Sequence, residues 1–591
     1  MRRTRTAAAL AVAAAASLGL AACGGGGSGS NSASSSNTSS GSAATGFNAG
    51  VGQVFNPSTA KGGTLKMAIS DDWDSLDPGD TYYGFAWDFA RFYGRSLTTF
   101  NAAPGKEGVK LVPDLAQSLG QPSDGGKTWT YKLRPGLKYE DGTPIKAADV
   151  KYAVARSLDK EVLPDGPTYF NDYLDLQGYK GPYKAKDKGA GLKAIETPDD
   201  QTIVFHLKKA FAGFDYFAQL PSTMPVPAAK DTGTNYKSHV LSSGPYMFKT
   251  VQPGKQYTLV RNPNWDASTD TVRKALPDEI DVQLKQNQDD IDNRLLAGQL
   301  DVDVTGSGVA AQTQGKILAD PKLKANSDNP IGIRDWYLSV NPDVAPLDNL
   351  ACRQAVEYAT NKASIQRAYG GNTGGAIATN MLPPTVPGAQ QFNTYPPGPD
   401  NTGDLQKAKD ALSKCGQPNG FSTTMAFRSD RPKEVATAEA EQQALARVGI
   451  KLSLKGFPSG DYYTLYAGKP DYAKANNLGI STNGWGADWP DGFGFLSQIT
   501  DSRTIRPGGG NYNLSVKDPA VDALIDKATS AKDLTSSQQA WTDVDKKVMD
   551  GAYVVPTVWA KGLYYRPPTL TNVYFNPAFG MYDYVSLGVK Q

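Results

Sequence analysis

Two residues in the last fifth of the chain, Trp485 and Asp488, are the leading candidates for binding chemistry. They follow Gly484 and stand three apart in a tryptophan-rich stretch that is interrupted by Pro490. Loops at clefts commonly carry binding groups. A carboxylate forms charge-assisted hydrogen bonds with cationic donors. The alternatives are that Asp488 caps its own loop, that Trp485 packs in the core, and that nearby Asp491 pairs within the same loop.

Other reactive residue types are too sparse to indicate an enzyme or a metal site. The chain has two histidines, His206 and His239, and neither an H-E-x-x-H nor a G-x-S-x-G pattern occurs. We therefore expect no catalytic residues, no metal and no cofactor. An exported hydrolase remains a remote alternative, and a Ser-His-Asp triad in it would have to use one of these two histidines.

Two segments imitate binding loops but lack the required context. Gly126-Lys127-Thr128 ends like a phosphate loop, yet it leads into a strand instead of opening a helix. We predict a hairpin turn there. The segment from Asp301 begins like a calcium loop, but its twelfth position is Gln312 instead of glutamate. We predict a strand with acidic residues on one face.

The amino-terminal residues have the parts of a secretory signal. Three arginines precede the apolar run Ala7–Leu20, and the small residues Ala21 and Ala22 lead to Cys23. This arrangement resembles a bacterial lipobox, which implies removal of residues 1–22 and lipidation of Cys23. An ordinary signal peptide is the alternative. The Gly/Ser-rich stretch up to about residue 48 is typical of a flexible tether.

Length, charge and cysteine content bound the mature chain. Removal of residues 1–22 leaves 569 residues, too many for one hydrophobic core, so we expect two to four domains. It also leaves 58 Lys+Arg against 59 Asp+Glu, and a net charge of −1 gives no reason to expect nucleic-acid binding. Cys352 and Cys415 form an even pair in an exported chain, which predicts a disulfide; two buried free thiols are the alternative.

Strand and helix patterns are mixed along the whole chain, which indicates an α/β or α+β class. Alternating apolar residues and turn signals predict strands at 62–69, 129–133, 202–207, 450–454 and 553–559. Helical spacing predicts helices at 147–158, 350–369 with Asp348 as the cap, 432–448, 519–529 and 536–549. Trp485 and Asp488 fall between the strand at 450–454 and the helix at 519–529.

Five segments, in order, resemble the family-5 solute-binding proteins of ABC importers, the peptide/nickel group. They are Gly62-Gly63-Thr64-Leu65 with Ser75-Leu76-Asp77-Pro78; Pro113-Asp114-Leu115-Ala116 through Asp141-Gly142-Thr143-Pro144 to Ala148-Asp149-Val150; Ser243-Gly244-Pro245-Tyr246 with Arg261-Asn262-Pro263; Asp348 to Tyr369; and Gly484-Trp485-Gly486-Ala487-Asp488-Trp489-Pro490-Asp491. The resemblance covers about residues 62–585.

The resemblance implies an α/β fold, a two-lobed periplasmic-binding-protein clamshell of type II in its large family-5 form with an extra domain. Hinge closure would enclose the ligand between the lobes. The implied division is 1–22 signal peptide, 23–60 anchor site and flexible linker, 61–97 first part of lobe I, 98–225 extra domain inserted in lobe I, 226–332 second part of lobe I, 333–553 lobe II and 554–591 carboxyl-terminal part of lobe I.

The resemblance also implies site roles. In oligopeptide-binding relatives, the aspartate that matches Asp488 pairs with the α-ammonium of the ligand, and Trp485 would supply an apolar wall. Tyr246 lies near the lobe crossover of relatives, and Tyr82 and Tyr83 follow the first strand, where the family often faces the cleft. Each of these three tyrosines could instead be structural. The partner of the ligand carboxylate stays open because many Arg and Lys residues compete.

The implied protein is a monomeric lipoprotein, anchored through its lipid on the extracytoplasmic face of the cell membrane. It would capture peptides and deliver them to the permease subunits of an ABC importer, without nucleic acid and without cofactor. The alternatives are an oligosaccharide or a nickel chelate as ligand, and a receptor that captures peptides for sensing.

Overall fold

The structure is a computed structural model that describes residues 45–590. The predicted signal peptide 1–22 and the predicted lipidation site Cys23 lie outside the described residues. Within the described residues, none of the helices has the length and apolar character needed to cross a membrane.

The first lobe is built on a five-stranded sheet. The strand Thr64–Ala68, which the alternating pattern predicted, buries Leu65 and Met67 on one face. The strand order is Val302–Asp303, Thr64–Ala68, Glu279–Gln283, Gln256–Arg261 and Tyr246–Gln252, with the first three parallel. The helices of this lobe are Gly84–Tyr93, Gln288–Leu296, Ala311–Ala319 and Pro321–Ala325.

The extra domain carries a four-stranded antiparallel sheet. Its order is Gln121–Ser123, Thr128–Lys132, Thr202–His206 and Ile195–Glu196. Trp129 lies opposite Phe205 and Tyr131 opposite Ile203, and all four are buried. The turn Asp124–Gly126 joins two of these strands, so the hairpin prediction is confirmed. A strand pair, Thr98–Phe100 with Leu111–Pro113, and the helices Ala147–Ser157, Tyr169–Tyr173, Pro182–Ala185 and Phe214–Ala218 complete the domain.

The second lobe is built on a six-stranded mixed sheet. Its order is Gly375–Ile377, Val554–Lys561, Ile331–Val340, Leu478–Gly486, Ser422–Arg428 and Lys451–Phe457. Val554–Lys561 pairs antiparallel with Ile331–Val340. The proposed lobe boundary at residue 553 is therefore corrected to a position after Lys561, because backbone hydrogen bonds hold this strand inside the second sheet.

Ten α-helices and one π-helix among the described residues surround this sheet. They are Leu350–Ala359, Lys362–Ala368, Gly371–Gly374, Leu405–Lys414, Pro432–Ala446, Ser459–Asp461, the π-helix Tyr462–Tyr466, Pro470–Ala475, Gly492–Thr500, Pro519–Thr529 and Leu534–Asp550. The single helix predicted at 350–369 is wrong, because Asn361 caps a separate second helix by accepting from the Ser364 N–H. Asn349, not Asp348, caps the first.

A disulfide joins Cys352 to Cys415, with their Cα atoms 5.5 Å apart. Cys352 lies in the helix Leu350–Ala359 and Cys415 directly follows Leu405–Lys414. The bond fixes these two helices to each other, and the sequence prediction of a bridge is confirmed.

Two chain crossings connect the lobes. Ser327–Asp328 and Tyr564–Tyr565 pair as a short antiparallel ribbon at this point. The chain then returns to the first lobe, where the Tyr584 hydroxyl donates to the Val304 carbonyl over 2.7 Å. The last strand pairs are Leu570–Thr571 with Gly588–Val589 and Phe575–Asn576 with Met581–Tyr582.

The end of the predicted flexible linker is bound to the first lobe. The Phe55 N–H donates to the Val573 carbonyl over 2.7 Å, and the Gly50 N–H donates to the Asp328 carboxylate over 2.9 Å. The prediction of a flexible linker up to residue 60 is therefore wrong for the part around Gly50 and Phe55. Phe55 and its backbone partners make this segment part of the folded body.

Candidate ligand-binding site

A cavity of about 550 Å³ lies between the two lobes. The first lobe lines it with aromatic and small residues, among them Tyr82, Tyr83 and Phe579. The second lobe lines it with residues from the ends of three strands of the six-stranded sheet and from the start of the helix Pro432–Ala446. Its volume lies within the range of about 300–1,000 Å³ that is typical of small-ligand sites.

A strand-to-helix loop positions Asp488 at this cavity. The strand Leu478–Gly486 ends beside Arg334, and the Ala487 N–H still donates to the Ile333 carbonyl over 3.1 Å. The chain then turns into the helix Gly492–Thr500, whose N-cap is Asp491. Asp491 thus caps the helix instead of forming an ion pair in its loop.

Asp488 accepts hydrogen bonds from two tyrosine hydroxyls of the other side of the cleft. The Tyr82 hydroxyl donates to Oδ2 over 2.7 Å, and the Tyr169 hydroxyl donates to the same oxygen. Neither Lys nor Arg lies within ion-pair distance of Asp488 in the part of the chain that the structure describes. Burial raises the pKa of Asp488, while the two hydroxyls act in the opposite direction. The carboxylate therefore has hydrogen-bond partners but lacks a counter-charge.

The two sequence-predicted tyrosines both reach the cavity. Tyr82 is held by its backbone N–H, which donates to the Asp74 carboxylate over 2.7 Å. Tyr83 stacks on Phe85 and remains 55% exposed. Both tyrosines directly precede the helix Gly84–Tyr93, and the start of this helix lies at the cavity.

Trp485 lies beside an adjacent cavity of about 440 Å³ that shares Tyr82 with the first. Its indole N–H donates to the Gly494 carbonyl over 3.2 Å, and its ring lies 5.3 Å from that of Tyr512. Trp485 therefore lines the adjacent cavity, whereas Asp488 lines the cavity between the lobes.

Tyr246 is not part of this site. It is 1% exposed in the core of the first lobe, and its hydroxyl donates to the Pro277 carbonyl over 2.8 Å. Its ring packs against Phe92. The prediction of a ligand contact is corrected, because this buried hydroxyl already has its partner within the core.

Four site residues were missed by sequence reasoning. Tyr169 comes from a short helix of the extra domain, and Arg334, Lys433 and Lys561 line the second-lobe wall of the cavity. The Arg334 guanidinium lies 5.4 Å above the ring of Trp336. The sequence carries no signal that separates these residues from the many other tyrosines, arginines and lysines.

The histidines lie away from this cavity. His206 is on the sheet of the extra domain, where its Nε2 lies 3.2 Å from the Glu196 carboxylate. No cluster of three or more His, Cys, Asp or Glu residues suited to a metal ion is found among residues 45–590.

An α/β fold of two lobes joined by two crossings, with a cavity between them, defines the class of solute-binding proteins. Residues 110–506 match the family described as bacterial extracellular solute-binding proteins, family 5 (middle). Because the match spans more than half of the sequence, the chain belongs to this family. Both the family resemblance and the clamshell fold predicted from the sequence are confirmed.

Relatives and solved structures agree with this assignment. Glutathione-binding protein GsiB of Pectobacterium atrosepticum is 27% identical over 489 residues, covering 82% of this chain and 86% of that protein. Heme-binding protein A of Haemophilus influenzae is 28% identical, covering 81% and 84%. The structure of clavulanic acid biosynthesis oligopeptide binding protein 2 is 41% identical with a TM-score of 0.88, covering 93% of this chain and 99% of that one. Family-5 members are non-enzymatic, extracytoplasmic components of ABC importers that bind peptides or related ligands.

Proposed function

We propose that this protein captures short peptides in the cavity between its lobes and delivers them to the permease of an ABC importer. The observation that carries the proposal is Asp488, a carboxylate at the cavity with two hydroxyl partners and no counter-charge among the described residues. The 41% identical structure of an oligopeptide-binding protein supports a peptide ligand.

In this proposal the ligand's α-ammonium binds Asp488. A carboxylate in a desolvated site prefers a cationic donor to a hydroxyl, because charge-assisted hydrogen bonds are about twice as strong as neutral ones. Tyr82 and Tyr169 then hold the carboxylate in place from the first lobe and the extra domain. An N-acylated ligand would leave Asp488 without its counter-charge, which is costly in a closed cleft.

The ligand carboxylate binds Arg334 in the same proposal. Arg334 lines the cavity, and within the described residues no carboxylate lies close enough to pair with it. A planar guanidinium can bind a carboxylate through two parallel hydrogen bonds. Strand pairing places Arg334 beside Gly486, two residues before Asp488. The two ends of a short ligand would therefore contact one wall of the cleft.

Binding would act through closure of the lobes. A ligand shifts the open–closed equilibrium only by its differential affinity for the closed arrangement. Asp488 and Arg334 lie on the second lobe and Tyr82 on the first, so a ligand that touches all three favours closure. Lipid attachment at Cys23, as part of this proposal, would keep the protein at the membrane that holds the permease.

The first test is isothermal titration calorimetry of the full-length protein in detergent with free and N-acetylated tripeptides. We expect binding of free peptides and loss of roughly tenfold or more in affinity on acetylation, since a charged hydrogen bond contributes about 1.5–3 kcal/mol. Asp488→Asn should cause a similar loss. The exposed Asp410→Asn, on the helix Leu405–Lys414, serves as the matched control and should bind like the wild type.

Two results would contradict the proposal. Equal binding of free and acetylated peptides would remove the ammonium role of Asp488. No binding of any peptide would overturn peptide capture itself, and oligosaccharides or metal chelates would then be tested in the same way.

A further inference from the structure

The cavity between the lobes has an unbalanced set of charges. Its charged lining residues are Arg334, Lys433, Lys561 and Asp488, three cations and one anion. The first-lobe wall contributes tyrosines, other aromatic residues and small polar residues, but no charged side chain. All four charged lining residues therefore lie on the second lobe.

None of these four charges forms an ion pair within residues 45–590. Two buried arginines elsewhere in the protein are matched by carboxylates. Arg156 pairs with Asp77 over 2.6 Å, and Arg273 pairs with Asp114 over 2.8 Å. The three cavity cations differ from these two arginines in having no carboxylate partner among the described residues.

The environments of the two lysines fit an anionic ligand. The Lys561 ammonium donates to the Asn372 carbonyl over 3.0 Å, and burial lowers its pKa. A lysine with only a neutral partner gains most from an added carboxylate. Lys433 is solvent-exposed at the cavity mouth, in the first turn of the helix Pro432–Ala446, where the helix dipole also favours negative charge.

The sheet places two of the cations on the same wall of the cavity. Ile331 pairs with Lys561, and Arg334 follows three residues later on the same strand. Arg334 in turn lies beside Gly486, whose strand leads to Asp488. One wall therefore carries a carboxylate that can accept from a ligand ammonium and three cations that can donate to ligand carboxylates.

We infer that the cavity selects ligands that carry more carboxylates than ammonium groups, which among short peptides means acidic ones. This inference rests on the proposed function for the peptide class and goes beyond it by naming the side-chain chemistry. A neutral peptide has one ammonium and one carboxylate, so it leaves two of the three cations unmatched when the lobes close. An acidic side chain supplies the missing partner.

The test compares Ala-Ala-Ala, Ala-Glu-Ala, Ala-Lys-Ala and tricarballylate by calorimetry on the full-length protein in detergent. We expect Ala-Glu-Ala to bind about tenfold or more tightly than Ala-Ala-Ala, and Ala-Lys-Ala to bind more weakly than both. Lys561→Gln and Lys433→Gln should each reduce the preference for Ala-Glu-Ala over Ala-Ala-Ala. Lys409→Gln, on the exposed side of a helix outside the cavity, should leave that preference unchanged.

The outcomes separate the two proposals. Equal affinity for the three peptides, or a preference unaffected by both cavity lysines, would overturn the charge inference and leave peptide capture standing. Binding of tricarballylate without any peptide binding would overturn peptide capture. It would support the inference that the cavity selects ligands with more carboxylates than ammonium groups. Failure of all four ligands would overturn both. Thermal unfolding of each variant verifies that it is folded.

Discussion

Asp488 is a buried carboxyl whose hydrogen-bond partners, among the described residues, are two tyrosine hydroxyls. Burial raises the pKa of its carboxyl, and the hydroxyls of Tyr82 and Tyr169 counteract that rise by hydrogen bonding to the charged form. Ionised Asp488 is the form that can bind an ammonium group. The pH dependence of peptide binding should therefore report on these two hydroxyls.

We predict that Tyr82→Phe moves the loss of peptide binding on acidification to higher pH. Without this hydroxyl, the ionised carboxylate loses a donor, so the pKa of Asp488 rises further above its ordinary value and the group protonates earlier as the pH falls. Calorimetric titrations with a free-amine peptide, from neutral pH down to about pH 4 where ordinary carboxyls titrate, measure the shift.

Tyr83→Phe is the matched control for this experiment. Tyr83 also lines the cavity, but its ring stacks on Phe85 and its hydroxyl is not among the partners of Asp488. Its pH profile should follow the wild type. A profile that shifts equally in both variants would show that loss of any cleft hydroxyl, instead of the bond to Asp488, is responsible.

At the scale of elements, the strand Leu478–Gly486 and the helix Gly492–Thr500 fix the position of Asp488 between them. Asp491 caps this helix by accepting from the Phe493 N–H over 2.8 Å. Its second oxygen is buried and has no hydrogen-bond partner within residues 45–590. Burial raises the pKa of Asp491 to about 7.

We predict that Asp491→Asn stabilises the protein at pH 8 more than at pH 5. A carboxyl whose pKa is raised from 3.8 to about 7 on folding lowers the stability of the folded state as pH rises through this window. Asparagine keeps the cap, since Asn and Asp are equally good N-cap residues, and removes the charge. Thermal unfolding midpoints at the two pH values measure the effect.

Asp533→Asn provides the comparison with the opposite sign. Asp533 caps the helix Leu534–Asp550 in an exposed position, and its bond to the Ser536 N–H lowers its pKa. Removal of this charge should give no gain at pH 8. A gain in both variants would mean that general charge removal, not burial of Asp491, explains the result.

At the scale of the whole molecule, the amino-terminal segment that precedes the first sheet is bound to the carboxyl-terminal return of the chain. Phe55 pairs with Val573, and the Arg566 guanidinium lies 4.4 Å above the Phe55 ring. Arg566 also pairs with Asp328 at the lobe crossing, where both side chains are fully buried. The segment therefore covers a structural ion pair.

We predict that deletion of residues 45–60 lowers the thermal unfolding midpoint without abolishing peptide binding. The deletion exposes the Arg566–Asp328 pair and removes the bond from the Gly50 N–H to Asp328, yet no residue of the segment lines the cavity. Loss of a hydrogen bond to a buried polar group lowers the free energy of unfolding by on the order of 1–3 kcal/mol. Differential scanning calorimetry together with peptide titration measures both effects.

Deletion of residues 24–44 is the corresponding control. The Gly/Ser composition of these residues predicts a tether that does not contribute to the fold. The unfolding midpoint should match the wild type. An equal decrease of the unfolding midpoint in both deletions would show that residues 24–44 also stabilise the fold, against the prediction from their composition.

Much of the fold was predictable because local patterns agree with it. Alternation of apolar and polar residues located the strands Thr64–Ala68, Thr128–Lys132 and Thr202–His206. Helical spacing located Pro519–Thr529 to the residue. The pattern failed at Thr360-Asn361, where continuous apolar spacing hid the cap that divides two helices. It located the strand Val554–Lys561, but the lobe to which this strand belongs is decided by pairing with a distant strand.

By itself, the sequence determined the family, the α/β clamshell and the disulfide partners, because these depend on residue order and local spacing. Tertiary structure alone decided which side chains share the cleft. Tyr169, Arg334 and Lys561 come from an extra domain and two strands far apart in the chain. Tyr246 was excluded by a core contact that no pattern in sequence reveals. Cavity walls form where lobes meet, so the balance of charge within them is a property of the folded arrangement.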